Sequence, residues 1–376
     1  MHDQTADETY RNRVLDELQE KTDGLIYKLL AKAEQPYTGN ESNRYCEALF
    51  CAGYEAAGFV ETLKLRGAPI ITQGQQTFQW DDGNDSPITQ LFRRMTVFDR
   101  SISVQILSRT TPFETRSLKE VRERFLSGSN ETNEPWNIHL PSPLPLPPLI
   151  LPNFLASNDC QLLPQARDAY WREKSTAKVQ QWEEWKDISE WILLSEGGVN
   201  TAPQMAKQAL ATWMTVQEGS VGFCWLSTQG QYGSNWYDWL AAPSDYTGGR
   251  WLYIVLKPGQ SIFFKSGTVY FLFRARGCQT LALGGHVLQW SDASRWIIVL
   301  NALREKALLS TNRQEKERIT TELPRVVGML INDRVDNRDK CGGEAVFEEL
   351  GGRPAVANFL HHFQVRKLTS VTEDEG

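Results

Sequence analysis

The chain has 376 residues, of which 41% are hydrophobic and 23% charged, and its formal net charge is -6. A chain of this length can bury one large core or two ordinary ones, and the composition is that of a globular protein. The acidic balance excludes a global positive field, and no apolar run reaches the roughly 20 residues of a membrane-spanning helix. We therefore expect neither a nucleic-acid nor a membrane partner. Six scattered cysteines without a CxxC pair indicate reduced thiols in an intracellular protein.

The N-terminal region, residues 1–94, is predicted to be helical. Its first ten or so residues are polar and charged and are expected to be disordered. Apolar residues then recur at helical spacing from Tyr10 to about Lys32. A second helix is predicted from Ser42 through residue 65, with Asn40 or Ser42 as its N-cap.

The next segment combines three patterns. Residues 101–109 alternate in polarity as a strand does, and residues 117–126 are amphipathic, with Ser117 and Glu120 at the spacing of a capping box. Residues 139–152 are rich in proline, so they must be extended and outside a central strand. We favour a traverse across the surface of the domain over a PxxP ligand for a partner, because the leucines between the prolines suit burial.

From residue 191 onward the chain is predicted to be mostly β. Residues 165–190 look helical or turn-rich, and the segments that follow are short, apolar, and interrupted by Gly and Pro-Gly. This pattern favours an α+β protein in which the strands from residue 191 onward form a barrel or a double-sheet jelly roll. Residues 301–376 are predicted to form a C-terminal helical region, which begins in "WIIVLNALREKALL" and continues as two or three packed helices.

The order of parts resembles the Jumonji C (JmjC) family of the cupin-like 2-oxoglutarate oxygenase superfamily. Four features carry the resemblance: "SLKEVRERFL" followed by "PWNIHLPSPLPLPP", then "TAPQMAKQALATWMTVQEG", "KPGQSIFFKSGTVYFLF" and "LALGGHVL". They are most similar to the lysine demethylases with PHD fingers or F-boxes and to fungal relatives of these. The resemblance covers roughly residues 95–300 and implies that this part is a JmjC-type double-stranded β-helix (jelly roll) with N-terminal and C-terminal helical additions. It also implies a location in the nucleus or cytoplasm. Members of the family usually bind Fe(II) and 2-oxoglutarate and hydroxylate or demethylate proteins.

The metal ligands that the family implies are missing from this chain. The His-x-Asp positions fall on Gln204 and Ala206, and the distal His position falls on Tyr270. An amide is a poor iron ligand, Ala is none, and an unactivated phenol is a weak one. The Lys that would hold the cosubstrate falls on Val221, and a helping phenol falls on Met214. We therefore expect no metal and no cofactor at these degenerate positions.

The remaining polar and aromatic residues of the same stretches define a candidate cavity. Its expected lining is Thr201, Lys207, Gln208, Trp213, Met214, Val221 and His286. Thr201 stands where the family also has Thr, three residues before the first ligand position. His286 is interpreted as a core histidine. No His in the chain is followed two positions later by an acidic residue, so the motif has no substitute elsewhere.

Three functions remain open from the sequence. The first is a catalytically inactive JmjC-like module that binds or scaffolds a protein partner, such as a protein tail or a chromatin complex. The second is a metal-free enzyme that uses the same cavity, with Tyr270, Lys207 or His286 as acid or base. The third is an active Fe(II)/2-oxoglutarate-dependent oxygenase or demethylase with unorthodox ligands. We favour the pseudoenzyme because three separate ligand positions are changed at once.

Overall fold

The computed structural model describes residues 3–18, 24–38, 46–61, 67–81, 83–107, 109, 112–127, 134–141, 146, 150–173, 188, 190–228, 236–309 and 322–373. Strands and helices both contribute extensively to this part of the chain, which confirms the α+β prediction. The strands described are β1 (Leu49–Phe50), β2 (Ile70–Gln73), β3 (Ser101–Gln105), β4 (Phe113–Ser117), β5 (Asn137–Pro141), β6 (Glu190–Ser195), β7 (Gln204–Met205), β8 (Ala211–Glu218), β9 (Val221–Leu226), β10 (Trp251–Leu256), β11 (Gln260–Phe264), β12 (Val269–Phe273) and β13 (Thr280–Val287).

The strands form two sheets. The large sheet has nine strands in the order β1-β2-β11-β8-β13-β6-β5-β3-β4, and the small sheet has four in the order β10-β9-β12-β7. The pair β1–β2 is parallel, and the other neighbouring strands are antiparallel. Strands β9 and β10 of the small sheet are covered on both faces, so all six residues of each are buried, although β10 is an edge strand.

Side chains from both sheets meet in one buried cluster, here called the inter-sheet cluster. Its fully buried members are Ala48, Ile71, Trp191, Leu193, Met214, Val216, Val221, Phe223, Trp225, Leu252, Ile254, Leu256, Ile262, Phe264, Leu272 and Ala282. Because successive side chains of a strand point to opposite faces, the residues between these members face away from the cluster. Leu281 and Leu283 of β13, for example, belong to a different core.

Helices cover the outer faces of the two sheets. The α-helices described are α1 (Gln4–Leu18), α2 (Leu25–Lys32), α3 (Gly53–Glu61), α4 (Pro87–Arg94), α5 (Leu118–Leu126), α6 (Leu162–Glu173), α7 (Trp236–Ala241), α8 (Ala293–Leu309), α9 (Glu322–Asp336), α10 (Ala345–Glu349) and α11 (Arg353–Glu373). Helices α3, α4 and α5 pack on the large sheet, whereas α1, α2 and α6 to α11 contribute to the core on the small sheet. The space between the sheets is therefore enclosed by two layers of helix.

Several local predictions agree with the structure. Helix α5 begins after Ser117, whose hydroxyl accepts from the backbone N–H of Glu120 while the Glu120 carboxylate accepts from the Ser117 N–H. Strand β3 lies within the predicted segment 101–109, and helices α9 to α11 follow α8 in the described part of the C-terminal region. The proline-rich segment agrees only in part: Ile150 is fully buried and Leu146 is partly buried against the core of the large sheet. The prediction that residues 139–152 lie outside a central strand was wrong, because 139–141 belong to β5, which pairs with β6 on one side and with β3 on the other. Residues 142–145 and 147–149 lie outside the described part of the chain.

Predictions for the N-terminal region need correction. The first residues are not disordered throughout, because α1 already begins at Gln4. A continuous helix from Ser42 was wrong, since Leu49 and Phe50 form β1 and pair with β2. Only 53–61 of that segment is helical, and its flanks 42–45 and 62–65 are outside the described residues. Residues 1–94 are thus not purely helical, because they donate β1 and β2 to the edge of the large sheet.

Candidate functional site

The two positions equated with the histidines of the JmjC metal site lie side by side. Gln204 of β7 and Tyr270 of β12 are direct partners in the antiparallel pairing of the small sheet. Directly opposed residues of an antiparallel pair project from the same face, with their Cβ atoms roughly 4.5–5.5 Å apart. Residue 270 therefore lies on the strand next to β7 in the same sheet, and not on the opposite sheet.

The third position, Ala206, lies just past the end of this strand. Strand β7 ends at Met205, but Ala206 keeps an extended backbone with φ -58° and ψ 149°. Its Cβ therefore falls on about the same side as that of Gln204, although Gln204 is exposed and Ala206 is buried. The chain then makes a tight turn in which Gln208 and Ala209 both have a φ of 56°, in the left-handed region that non-glycine residues rarely adopt.

Two partners from other elements hold this strained turn. The indole Nε1 of Trp296 in α8 donates to the carbonyl oxygen of Gln208 over 2.8 Å, and the hydroxyl of Ser266 donates to the carbonyl oxygen of Ala209 over 2.6 Å. Backbone strain of this kind persists only where the surroundings fix it. The turn thus sets the direction in which the chain leaves β7 and enters β8.

Tyr270 is packed among aromatic rings. Its ring stacks on Phe223 with a centroid separation of 5.3 Å and lies 4.7 Å from the ring of Phe264. Burial raises the pKa of the Tyr270 phenol to about 12, so the hydroxyl stays protonated at neutral pH. A protonated phenol is neither a good metal ligand nor a base, and its aromatic neighbours offer no partner to activate it.

At one end of the inter-sheet space the lining turns polar; we call this set the polar rim. It consists of His139, Trp191, Gln204, Lys207, Thr212, Tyr270 and His286. The Thr212 hydroxyl and His286 Nδ1 lie 2.8 Å apart, and the Trp191 ring lies 6.4 Å from that of His286 and 5.4 Å from that of His139. Burial, and then the positive charges of His139 and Lys207, lower the pKa of His286 to about 3. His286 is therefore a neutral hydrogen-bonding group at physiological pH.

The structure does not gather all seven predicted cavity residues into one cavity. Met214 and Val221 point into the inter-sheet cluster, but Trp213 packs on the opposite face of β8, against the core beneath α3 to α5. The hydroxyl of Thr201 accepts from the N–H of Leu272 over 2.8 Å, so it braces the edge of β12. Gln208 is fixed in the strained turn, which leaves Lys207 and His286 on the polar rim.

Sequence reasoning missed three members of the polar rim. His139, Trp191 and Thr212 belong to different strands, and their approach depends on the pairing of β5 with β6 and of β8 with β13. Thr212 could have been found from the spacing along β8, because it lies two residues before Met214 and the two side chains therefore share a face of the strand. The sequence could not show that this face points into the inter-sheet space, because alternation separates the two faces of a strand but does not say which of them faces inward.

The residues present do not fit the Fe(II) and 2-oxoglutarate that the resemblance implies. Gln204, Ala206 and Tyr270 offer an amide, a methyl group and a protonated phenol, and Val221 offers no charge for a carboxylate. Among the described residues, no group of three or more His, Cys, Asp or Glu side chains is arranged to hold a metal ion. No helix in the described part of the chain is both long and apolar enough to cross a bilayer.

A comparison with models of known protein families and a search of curated proteins found no match to this chain.

Proposed function

We propose that this chain is a JmjC-like protein that has lost its Fe(II) ligands and acts as a catalytically inactive binding or scaffolding module. The observation that carries the proposal is the pairing of Gln204 with Tyr270. If these positions correspond to the two histidines of a JmjC site, the corresponding side chains are adjacent, and neither is suited to hold iron. The two facing sheets are compatible with the jelly roll expected for that family.

Packing of the inter-sheet space supports a binding role at the surface rather than catalysis in a deep pocket. Phe223, Trp225 and Phe264 are each at most 2% exposed and fill the interior behind Tyr270. The exposed groups near this end are those of His139, Gln204 and Lys207, which suit polar contacts with another protein. We therefore propose a protein partner, with chromatin components as the class that the family resemblance favours.

Restoring the three ligands tests the proposal. The variant Gln204→His/Ala206→Asp/Tyr270→His is expected to gain stabilisation by Mn(II) that the parent lacks, because the three side chains lie on one side of neighbouring chain segments. Ala206→Asp alone should lower the free energy of unfolding by a few kcal/mol, since a carboxylate is buried without a partner. Melting curves with and without Mn(II) measure both effects. The matched control carries Ala206→Asn in place of Ala206→Asp and should respond to Mn(II) much less.

The same measurements separate the other two functions. Stoichiometric metal in the parent, lost on Gln204→Ala or Tyr270→Phe, would establish an oxygenase with unorthodox ligands and overturn the proposal. If the triple variant folds but Mn(II) leaves its melting temperature unchanged, residues 204, 206 and 270 do not correspond to a metal site, and the pseudoenzyme interpretation fails with them. Metal-free turnover of a small molecule that depends on Lys207 or His286 would instead support the second alternative.

A further inference from the structure

Arg274 is a buried cation that makes no salt bridge with a carboxylate in the described part of the chain. It follows β12 directly, and its side chain is 1% exposed. Its Nε donates to the hydroxyl of Thr280 over 2.8 Å and its Nη1 reaches the carbonyl oxygen of Val199 at 3.4 Å. In the described part of the chain, its guanidinium makes no salt bridge and no hydrogen bond other than these two. Buried charges in proteins are almost always paired, so this arrangement requires an explanation.

Alternation along β12 directs Arg274 toward the space between the sheets. Leu272 belongs to the inter-sheet cluster, and Phe273 belongs to the core on the outer face of the small sheet. Because side chains alternate along a strand, residue 274 points to the same side as Leu272, into the inter-sheet space. Thr280, its hydrogen-bond partner, lies two residues before the inward-facing Ala282 of β13. Arg274 and Thr280 therefore approach each other from the two sheets, at the end of the space opposite to the polar rim.

The large sheet presents a row of polar side chains at the same level. Gln105, Asn137, Ser195 and Thr280 occupy paired positions on four neighbouring strands. The Ser195 hydroxyl donates to Asn137 Oδ1 over 2.5 Å, and Asn137 Nδ2 donates to Gln105 Oε1 over 3.0 Å. The hydrophobic inter-sheet cluster lies between this row and the polar rim, so the row and Arg274 form a second polar end of the inter-sheet space.

We propose that Arg274, together with Thr280 and the neighbouring polar row, forms a binding site for a small oxyanion, either a carboxylate or a phosphate. A guanidinium group matches the paired oxygens of both ligands, and Nη2, which makes no hydrogen bond with a described residue, supplies a donor for them. Burial lowers the pKa of Arg274 to about 10, which still leaves it charged at neutral pH. The aromatic filling of the interior restricts the ligand to a small ion. This site is independent of the proposed loss of metal ligands at the other end.

Thermal melting with inorganic phosphate and with succinate, at constant ionic strength, tests the site. A ligand that binds the native state raises the melting temperature saturably. We expect at least one of the two ions to do so in the parent, and Arg274→Gln to weaken that binding by about tenfold or more. Arg276→Gln is the matched control. Arg276 lies two residues after Arg274 and is exposed, so this variant removes the same charge without touching the buried site. Phosphate or succinate acting alone would identify the ligand class.

Two results would overturn the site. One is an equal response of the parent, Arg274→Gln and Arg276→Gln, which would show a general salt effect. The other is the absence of a saturable response to either ion. If Arg274→Gln does not fold, crystals of the parent grown with selenate decide the question: an anomalous selenium peak within hydrogen-bonding distance of Arg274 Nη2 supports the site, and its absence there rejects it.

Discussion

Nδ1 of His286 and Oγ1 of Thr212 lie 2.8 Å apart on the paired strands β13 and β8, next to the ring of Trp191. Burial is the main cause that lowers the pKa of His286 to about 3, from an ordinary value of 6.5. In the unfolded chain the imidazole takes up a proton below about pH 6.5, whereas in the native state it stays neutral. The free energy of unfolding should therefore fall as the pH drops from about 6.5 toward 3.

The first prediction concerns the slope of this pH dependence. His286 alone should contribute up to about 1.4 kcal/mol per pH unit below its unfolded pKa, because one proton is bound on unfolding. His286→Gln should remove this contribution to the pH dependence of the free energy of unfolding, independently of its effect on stability at about pH 7. Urea unfolding at about pH 7, 6 and 5 measures it, with His361→Gln on α11 as control. An unchanged slope in His286→Gln would falsify the assignment.

The second prediction concerns Asp7 of α1, whose contribution to the free energy of unfolding decreases as the pH rises, opposite to that of His286. Its carboxylate accepts from the N–H of Val255 in β10 over 2.7 Å, and burial raises its pKa to about 6. The folded value exceeds the unfolded one, so the stability associated with its protonated form is present below about pH 3.8 and is lost as the pH rises through 6.

Asp7→Asn should therefore stabilise the protein at about pH 8, by about 1–2 kcal/mol after allowance for solvent screening, and have little effect at about pH 4. The amide keeps an oxygen that can accept from Val255 while removing the buried charge. Asp16→Asn, exposed on the same helix, is the control and should not show this pH-dependent gain. Equal effects of Asp7→Asn at both pH values would contradict the prediction.

The third prediction concerns a close approach at the polar rim. Gly284 of β13 is the direct partner of Trp191 in β6, and a Cβ at position 284 would overlap the six-membered ring of that indole. Gly284→Ala should displace Trp191 and lower the free energy of unfolding by about 1–3 kcal/mol. Gly58→Ala in helix α3 meets no atom within 4 Å and should instead gain about 0.5–1 kcal/mol. Urea unfolding of both variants, with tryptophan fluorescence, measures the difference; equal effects would show that Trp191 is free to move.

Local patterns were the part of the fold that the sequence predicted well. The capping box of Ser117 and Glu120 lies within four residues, and the apolar strands from residue 191 onward are marked by their own composition. The helix predicted from Ser42 failed at Leu49 because that residue pairs with Ile70, a distant partner whose contact outweighs local helix propensity.

The candidate site was predictable in its chemistry but not in its geometry. The amide, methyl and phenol groups at positions 204, 206 and 270 are known from residue identity alone, and their inability to hold iron stays a prediction. The inward or outward direction of Trp213 depends on how β8 packs between its neighbours, which alternation alone does not reveal. Arg274 could not be predicted as a buried cation for the same reason, because its burial and the lack of a salt bridge to any described carboxylate depend on how the two sheets pack.

The last prediction asks whether the inter-sheet space is a packed core or a ligand cavity. Phe223 is fully buried, with its ring 5.1 Å from Phe264, 5.3 Å from Tyr270 and 5.7 Å from Trp225. Rings held this closely from both sheets leave little room to relax, so Phe223→Ala should lower the free energy of unfolding by about 3–5 kcal/mol. Phe113→Ala, on the exposed edge strand β4, should change it by less than about 0.5 kcal/mol.

An apolar probe gives a second readout of the same space. The void left by Phe223→Ala would be lined by aromatic and aliphatic groups, and dry cavities of this kind bind small apolar molecules such as benzene. Benzene should therefore raise the melting temperature of Phe223→Ala and leave that of the parent unchanged, because the parent has no space for it. If benzene stabilised the parent as strongly as the variant, or if Phe223→Ala cost less than about 1 kcal/mol, the interior would be an open pocket. A small-molecule site behind Tyr270 would then replace surface recognition of a protein partner as the better account of this chain.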